Sequence, residues 1–423
     1  MSAQTILTLD NAVNIALENN LSLRRTEIDL AASGYSEKNL WSVIFPVINA
    51  NASATYRNSL FSDTTLQNSG FSYQIDFGIN IGLNTGLPFI FRSIRLAHQA
   101  NILRYEDARN QLAILVTKRF YALITEKNNL SLLEEVLNLA QRQYTRSETL
   151  FRNGFVGELS LTQSRLTLEN ARYNLSAGQI IYDNNMAEFL SLLGLPIDEN
   201  VTLSGEVNIV RIQADAEALI NEYLHQRPDI LRNKQEIERL TNLHRQAVAN
   251  NRTPSISLSG SYSGRVSGSL NPLSSNPYTD TLSATAAINI PIDSWIPGTS
   301  RSQTISAASD SVEKAILDLQ MTENAAKTQI RTLTASLRNS WDNIRIANLG
   351  FQSAQRSYQL TEQGFQNGTI EALALQDSRN NMANARQRLL QAEFSYMNMI
   401  LDLSAALNID WKHLIQIYGA PGE

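Results

Sequence analysis

Phe151-Arg152-Asn153-Gly154-Phe155-Val156-Gly157-Glu158-Leu159-Ser160-Leu161 is answered 214 residues later by Phe365-Gln366-Asn367-Gly368-Thr369-Ile370-Glu371-Ala372-Leu373-Ala374-Leu375. The correspondence continues on both sides: Tyr144 with Tyr358, Ser164-Arg165 with Ser378-Arg379, and Asn170-Ala171-Arg172 with Asn384-Ala385-Arg386. Further upstream the offset shortens slightly, pairing Pro88 and Arg92 with Pro297 and Arg301, and Pro46 with Pro254. Self-similarity over such a distance predicts one structural layout used twice, over residues 1–210 and 211–423.

Two ladders at seven-residue spacing lead into the two Asn-Gly pairs. One is Val116, Leu123, Leu130, Leu137, Tyr144 and Phe151; the other is Ile330, Leu337, Ile344, Phe351, Tyr358 and Phe365. A sustained period of seven, rather than 3.6, predicts long helices wound into left-handed coiled coils. Beyond each pair a second stripe runs away from the turn, through Leu161, Leu168, Leu175, Tyr182 and Phe189, and through Leu375, Met382, Leu389, Tyr396 and Leu403. Glycine tolerates the backbone of a tight reversal, so each half should hold an antiparallel helical hairpin, turning at 153–154 and at 367–368. An arm from Arg92 to Phe151 would extend roughly 90 Å at 1.5 Å per residue. No single globule covers such a helix; it must pack beside others, including those of further copies.

Elsewhere the period changes to two. Ile48, Ala50, Ala52, Ala54 and Tyr56 alternate with Asn49, Asn51, Ser53, Thr55 and Arg57, and Tyr73 to Leu83 alternates in the same way. The second half repeats this with Ile256, Leu258, Gly260 and Tyr262 between serines, then with Leu282 to Ile292. These runs predict β-hairpins over 46–86 and 254–293. Their connections, about Leu60 to Ser72 and Val266 to Thr281, read as surface loops outside the cell. Segments 195–214 and 408–423 break the heptads and predict a girdle of short helices at the equator.

An apolar face backed by Asn, Ser, Thr, Gly and Asp fits an outer-membrane barrel with a wet lumen. Two soluble hairpins resting on a core are the alternative. Four strands cannot close a barrel, and an open sheet edge in hydrocarbon costs several kcal/mol per unpaired group. Oligomerisation follows: two copies would give eight strands and a plugged interior, three would give twelve and an opening.

Composition narrows the function. Of 423 residues, 35 are basic and 40 acidic, without the concentrated basic face of a nucleic-acid binder. There is no cysteine, hence no disulfide, thiolate metal site or cysteine nucleophile. His98, His225, His244 and His413 do not share the spacing of ligands on one helical face. No carboxylate pair or triad order stands out, no Gly-rich loop with a Lys offers an ATP site, and no cofactor is expected. No stretch approaches ~20 apolar residues, so no membrane-spanning helix is predicted. Met1 to Leu17 lacks the basic segment and apolar core of a signal peptide.

The order of helix, strand hairpin, long helix, Gly turn and returning helix, given twice, resembles the TolC-type outer membrane efflux protein family over essentially the whole chain. The duplicated Asn-Gly turn carries the likeness, together with the opening Leu7, Thr8, Leu9, Ala12 and Ala16 to Asn20. The resemblance implies a mainly α fold with β, and a homotrimer joining twelve strands in one barrel and twelve helices in a periplasmic tunnel. It implies an outer-membrane exit duct working with a periplasmic adaptor and an inner-membrane transporter, in an efflux pump or a type I secretion system. A soluble coiled-coil adaptor or scaffold is the competing function.

The family's tunnel entrance carries acidic rings. Here the matching positions are Asp377 and, departing from the pattern, Ala374; Ser160, Phe365 and Ile370 stand where the family places a polar lock, so closure should rest more on apolar packing. Adaptor docking is expected at the turns, at Asn153, Gly154, Phe155, Val156 and Leu159, and at Asn367, Gly368, Thr369, Ile370 and Leu373. Glu158 and Glu371 are expected to favour helix N-termini through the macrodipole.

Overall fold

The computed structural model describes residues 5–57, 70–205, 209–268, 278–367 and 369–420. Its first elements are β1 (Thr5–Leu7), α1 (Leu9–Asn19), α2 (Leu21–Lys38), β2 (Val47–Arg57), β3 (Gly70–Asn84), α3 (Leu87–Arg152) and α4 (Glu158–Leu193). Then come β4 (Val201–Leu203), β5 (Arg211–Ile212), α5 (Ala216–Tyr223), α6 (Pro228–Arg252), β6 (Ser255–Gly268) and β7 (Tyr278–Asn289). The last are α7 (Ser300–Gln366), α8 (Ala372–Leu407), α9 (Trp411–Tyr418) and β8 (Gly419–Ala420). The long helices α3 and α7 have 66 and 67 residues, and each is followed by a helix of 36. Helix α3 starts at Leu87, earlier than Arg92, because Pro88 sits in its first turn, where a missing N–H costs nothing.

Two compact units divide the chain. One comprises Asp29–Ile102 and Arg232–Gln320. It holds an antiparallel sheet in the order β2-β3-β6-β7. The register keeps the pleat in phase, with Ile48 opposite Ile79, Ile79 opposite Gly260 and Gly260 opposite Ala284. One face is therefore apolar from edge to edge. On the other, Gln74 donates to Asp76 (2.8 Å) and Ser263 (3.3 Å), Arg265 donates to Ser72 (3.0 Å), and the hydroxyls of Ser261 and Ser283 meet at 2.7 Å. Parts of the expected surface loops are strand instead, since β3 begins at Gly70, β6 runs to Gly268 and β7 begins at Tyr278. The remainder of those loops, 60–69 and 269–277, lies outside the described residues. Helix α6 is tied to α3 by Asn242, 2% exposed, whose amide donates to the Phe89 carbonyl and the Ser93 hydroxyl, both at 2.8 Å.

The other unit comprises Met1–Ile28, Leu103–Leu231 and Met321–Glu423. Its core takes Val116, Phe120, Leu123 and Phe189 from α3 and α4, and Ile330, Leu337, Tyr396 and Leu403 from α7 and α8. Tyr396 is wholly buried; its hydroxyl accepts from Ile212 N–H at 2.9 Å and donates to the Val210 carbonyl at 3.1 Å. The equatorial segments differ from expectation. Among the described residues, 195–205 and 209–214 carry no helix, but β4, parallel to β1, and β5, antiparallel to β8; only α9 is helical in 408–420. Pairing with strands remote in sequence satisfies backbone groups that a Pro- and Gly-broken segment cannot satisfy within a helix.

Candidate functional site

The chain reverses at the end of α3 through a cap that satisfies the last carbonyls. Gly154 N–H bonds Phe151 O and Phe155 N–H bonds Leu150 O, both at 2.9 Å, with Gly154 at φ +76°. That left-handed backbone is free of strain only for glycine. At the second turn Thr369 N–H bonds Gly364 O at 2.9 Å, the same six-to-one closure, while Gly368 lies outside the described residues. Gly364 leaves room for Ile370, whose Cδ1 would stand 2.5 Å from an added Cβ. Glu158 opens α4, and Glu371 is the N-cap of α8, without a side-chain capping bond.

Between the two turns lies a groove of about 470 Å³. Its apolar lining includes Leu139, Leu150, Val156, Phe365 and Leu373; its polar lining includes Arg142, Arg146, Ser160, Glu362, Gln376 and Arg379. The hairpins touch through side chains. The Arg146 guanidinium lies 4.9 Å from the Phe365 ring centroid, Gln376 donates to Thr167 (3.0 Å) and Arg379 donates to Gln143 (3.4 Å). Arg379 also stacks 6.0 Å from the Tyr358 ring, and Tyr358 donates to Glu362 at 3.1 Å. Burial, with the Glu362 carboxylate close by, pushes the Tyr358 phenol above its ordinary range.

Of the residues expected at the gate and tips, Val156, Ser160, Phe365 and Leu373 line this groove. Asp377, Ala374, Asn153, Gly154, Phe155, Leu159, Asn367 and Thr369 are exposed outside it, and Ile370 is half-buried outside it. Sequence reasoning missed Arg142, Arg146, Gln376 and Arg379. Their signals were position and, for Arg379, its match to Arg165 in the repeat: Arg142 and Arg146 are one helical turn apart, and Arg379 is two residues beyond Asp377.

Among the described residues, two apolar surfaces have no cover within one chain. On α4, Leu159, Leu166, Tyr173 and Ile180 recur every seven residues and are all more than half exposed. On the sheet, Ile48, Leu282 and Ile288 are 68%, 83% and 69% exposed. Among the described residues β2 and β7 each pair on one side only. Aromatics mark both ends of the sheet. Tyr56 packs on Phe71, and the Tyr262 and Tyr278 hydroxyls meet at 2.6 Å; at the opposite end Trp41 packs edge-on against Phe45, and Arg252 stacks on Trp295 at 5.1 Å. No described helix is long and apolar enough to cross a membrane, and no described cluster of His, Asp and Glu could hold a metal ion.

Comparison with known proteins gives a consistent picture. The outer membrane efflux protein model matches residues 12–195 and 219–408. The cation efflux system protein CusC of Escherichia coli O157:H7 is 24% identical over 409 residues, 95% of this chain and 85% of that protein. The CmeC outer membrane channel of Campylobacter jejuni superposes with a TM-score of 0.75 at 19% identity, over 96% of this chain and 88% of that one. The open-state MtrE outer membrane channel of Neisseria gonorrhoeae gives 0.72 at 18% identity, over 95% and 89%.

Proposed function

The chain belongs to the outer membrane efflux protein family, and on that premise we propose that it is the passive exit duct of a tripartite efflux pump or a type I secretion system. Membership makes it an outer-membrane protein with a periplasmic extension, and a channel rather than an enzyme. In the proposed assembly three copies join their four-stranded sheets into one twelve-stranded barrel, and their helices line a periplasmic tunnel.

The observation that carries this reading is the sheet, with its continuous apolar face and its edge strands β2 and β7, each paired on one side only among the described residues. In lipid the apolar face is solvated and the edges are not, so neighbouring copies must seal them. From Pro46 to Tyr56, about ten residues at ~3.3 Å and a tilt near 40° cover about 25 Å, the height of an outer-membrane apolar band. The exposed α4 stripe gives those copies a second, helical seam. A soluble scaffold would have no use for the lipid-compatible face.

At the periplasmic end, Asp377, Ala374, Ser160, Phe365 and Ile370 form the gate in this reading. Three exposed Asp377 carboxylates near one axis would draw cations to the entrance. The turns dock the adaptor: Phe155, 75% exposed, and Leu159 offer apolar contact in the first hairpin, with Asn153, Gly154 and Val156. Asn367, Gly368, Thr369, Ile370 and Leu373 do so in the second. The adaptor and an inner-membrane transporter supply the opening and the energy. Outer-membrane lipid surrounds the barrel, and nucleic acid has no part.

Conductance of the detergent-purified protein in a planar bilayer tests this. Discrete steps are expected, blocked from the tip side by multivalent cations, with the block relieved in Asp377→Asn. Absence of steps removes the duct, and unchanged block removes Asp377 from the gate.

A further inference from the structure

The groove between the hairpins combines two features that no single simple ligand class serves. Arg142, Arg146 and Arg379 place three guanidinium groups along it, and none has a carboxylate partner among the described residues; the one acid in the lining, Glu362, already accepts from Tyr358. Arg379 Nε is buried and makes no hydrogen bond at all. The intervening wall is apolar, through Leu150, Phe365 and Leu373. A free inorganic anion would meet the charges and leave the wall wet. A neutral oil would dry the wall and leave desolvated cations unmatched.

We propose that this groove is a binding site for an amphiphilic carboxylate, an anionic head on a short saturated chain, which ties the two hairpins of one protomer together. The volume, about 470 Å³, is that of a small-ligand pocket. Arg146 on α3 and Arg379 on α8 would share the head, a charge-assisted contact added near the turns, where Arg379 and Gln143 meet at 3.4 Å. The chain would lie along the Phe365 and Leu373 side. Because the groove lies between the turns read above as the periplasmic entrance, an occupied site would hold that entrance shut. This consequence rests on the duct reading; the binding itself does not.

The test is calorimetric titration of the whole protein, in phosphatidylcholine nanodiscs with empty discs subtracted, using octanoate, octanol and acetate. Saturable octanoate binding is expected at one site per protomer, with octanol and acetate weaker by roughly tenfold or more. Arg146→Gln and Arg379→Gln should each weaken octanoate by a similar factor, and Arg379→Lys by less, with oligomer mass and melting checked for each variant. Equal binding of acetate reduces the site to a plain anion site. Equal binding of octanol reduces it to a greasy cleft, and either result overturns the proposal. So does octanoate binding that ignores both arginines, or a groove that crosslinks to a periplasmic polypeptide and takes no octanoate. Planar-bilayer conductance separates the two readings. Conductance without octanoate binding sinks this site and leaves the duct. Octanoate binding to a protein that never conducts sinks the duct and leaves the site. Binding that fails to lower conductance sinks the tie between hairpins.

Discussion

The guanidinium of Arg146 lies over the ring of Phe365, 4.9 Å from its centroid, so a cation of the first hairpin rests on an aromatic face of the second. Such a contact is worth about 0.5–1 kcal/mol where water reaches it. Phe365→Leu keeps the bulk and removes the ring. The resting duct of this variant should leak more often than the wild type, seen as more frequent brief openings in planar bilayers. An unchanged record for both Phe365→Leu and Phe365→Ala would show that the contact does not hold the tip.

Two glycines with nearly equal φ should differ in their tolerance of alanine. Gly154, at +76°, has open space around an added Cβ, so only backbone strain applies and Gly154→Ala should cost about 1 kcal/mol. Gly194, at +74°, would put its Cβ 2.5 Å from the Asn19 carbonyl oxygen, so Gly194→Ala should cost about 2–4 kcal/mol. Asn408, at φ 56°, ends α8 as Gly194 ends α4; Asn408→Gly would relax the backbone but remove the bond its amide accepts from Asn110 (3.2 Å) and the one it donates to the Gln226 carbonyl (3.3 Å), so it should cost less than Gly194→Ala. Urea unfolding of the detergent-solubilised protein gives the order; equal losses at Gly154 and Gly194 would contradict the steric argument.

Burial raises the Glu126 carboxyl above its ordinary value, against the opposing hydrogen bond that Asn185 donates at 2.7 Å; its Oε2 is buried without a partner. A carboxyl raised in the folded state keeps its proton longer there than in the unfolded chain. Its contribution therefore lowers stability as pH rises from the ordinary glutamate range through the folded value. Glu126→Gln should melt higher than wild type at neutral pH, and the two should converge as pH falls below that range. A gap that stays constant with pH would assign the effect to packing.

The two sheet faces should respond oppositely to the same charge. Phe77 belongs to the apolar face and Asn51 to the polar one. Arginine near mid-membrane on a lipid face costs about 2–4 kcal/mol. Phe77→Arg should abolish or strongly reduce the amount of assembled protein in outer-membrane fractions, whereas Asn51→Arg should assemble and shift the conductance. The reverse pattern would mean that the faces have been assigned the wrong way round.

How much of this was legible beforehand depends on element length. Six consecutive heptads and a Gly turn announce a helical hairpin because the period repeats many times, and alternation over Ile48 to Tyr56 announces a strand for the same reason. Strands β1, β4, β5 and β8 have two or three residues each, too few to show any period, and their partners are remote in sequence, so the equator read as helices. The Asn408 cap hides because asparagine is a common residue that only sometimes takes a left-handed backbone. At the tips, Phe365 and Val156 could be named from the repeat. That Arg146 and Arg379 face the groove could not be read, because which face of each helix meets the other hairpin depends on packing between elements more than 200 residues apart, from 146 to 365.

The central claim is that copies of this chain seal the free edges of one another's sheets, β2 of one against β7 of the next. The absence of native cysteine permits a direct measurement. One cysteine is scanned along β2, starting from Ala52→Cys, against one on β7, starting from Ala286→Cys, in detergent-extracted protein under mild oxidation. Crosslinking in register is predicted to give a ladder of one, two and three chains that stops at three and collapses to monomer on reduction. A folded protein that forms no intermolecular bond at any β2–β7 pair, or closes the bond only within a single chain, would contradict the account.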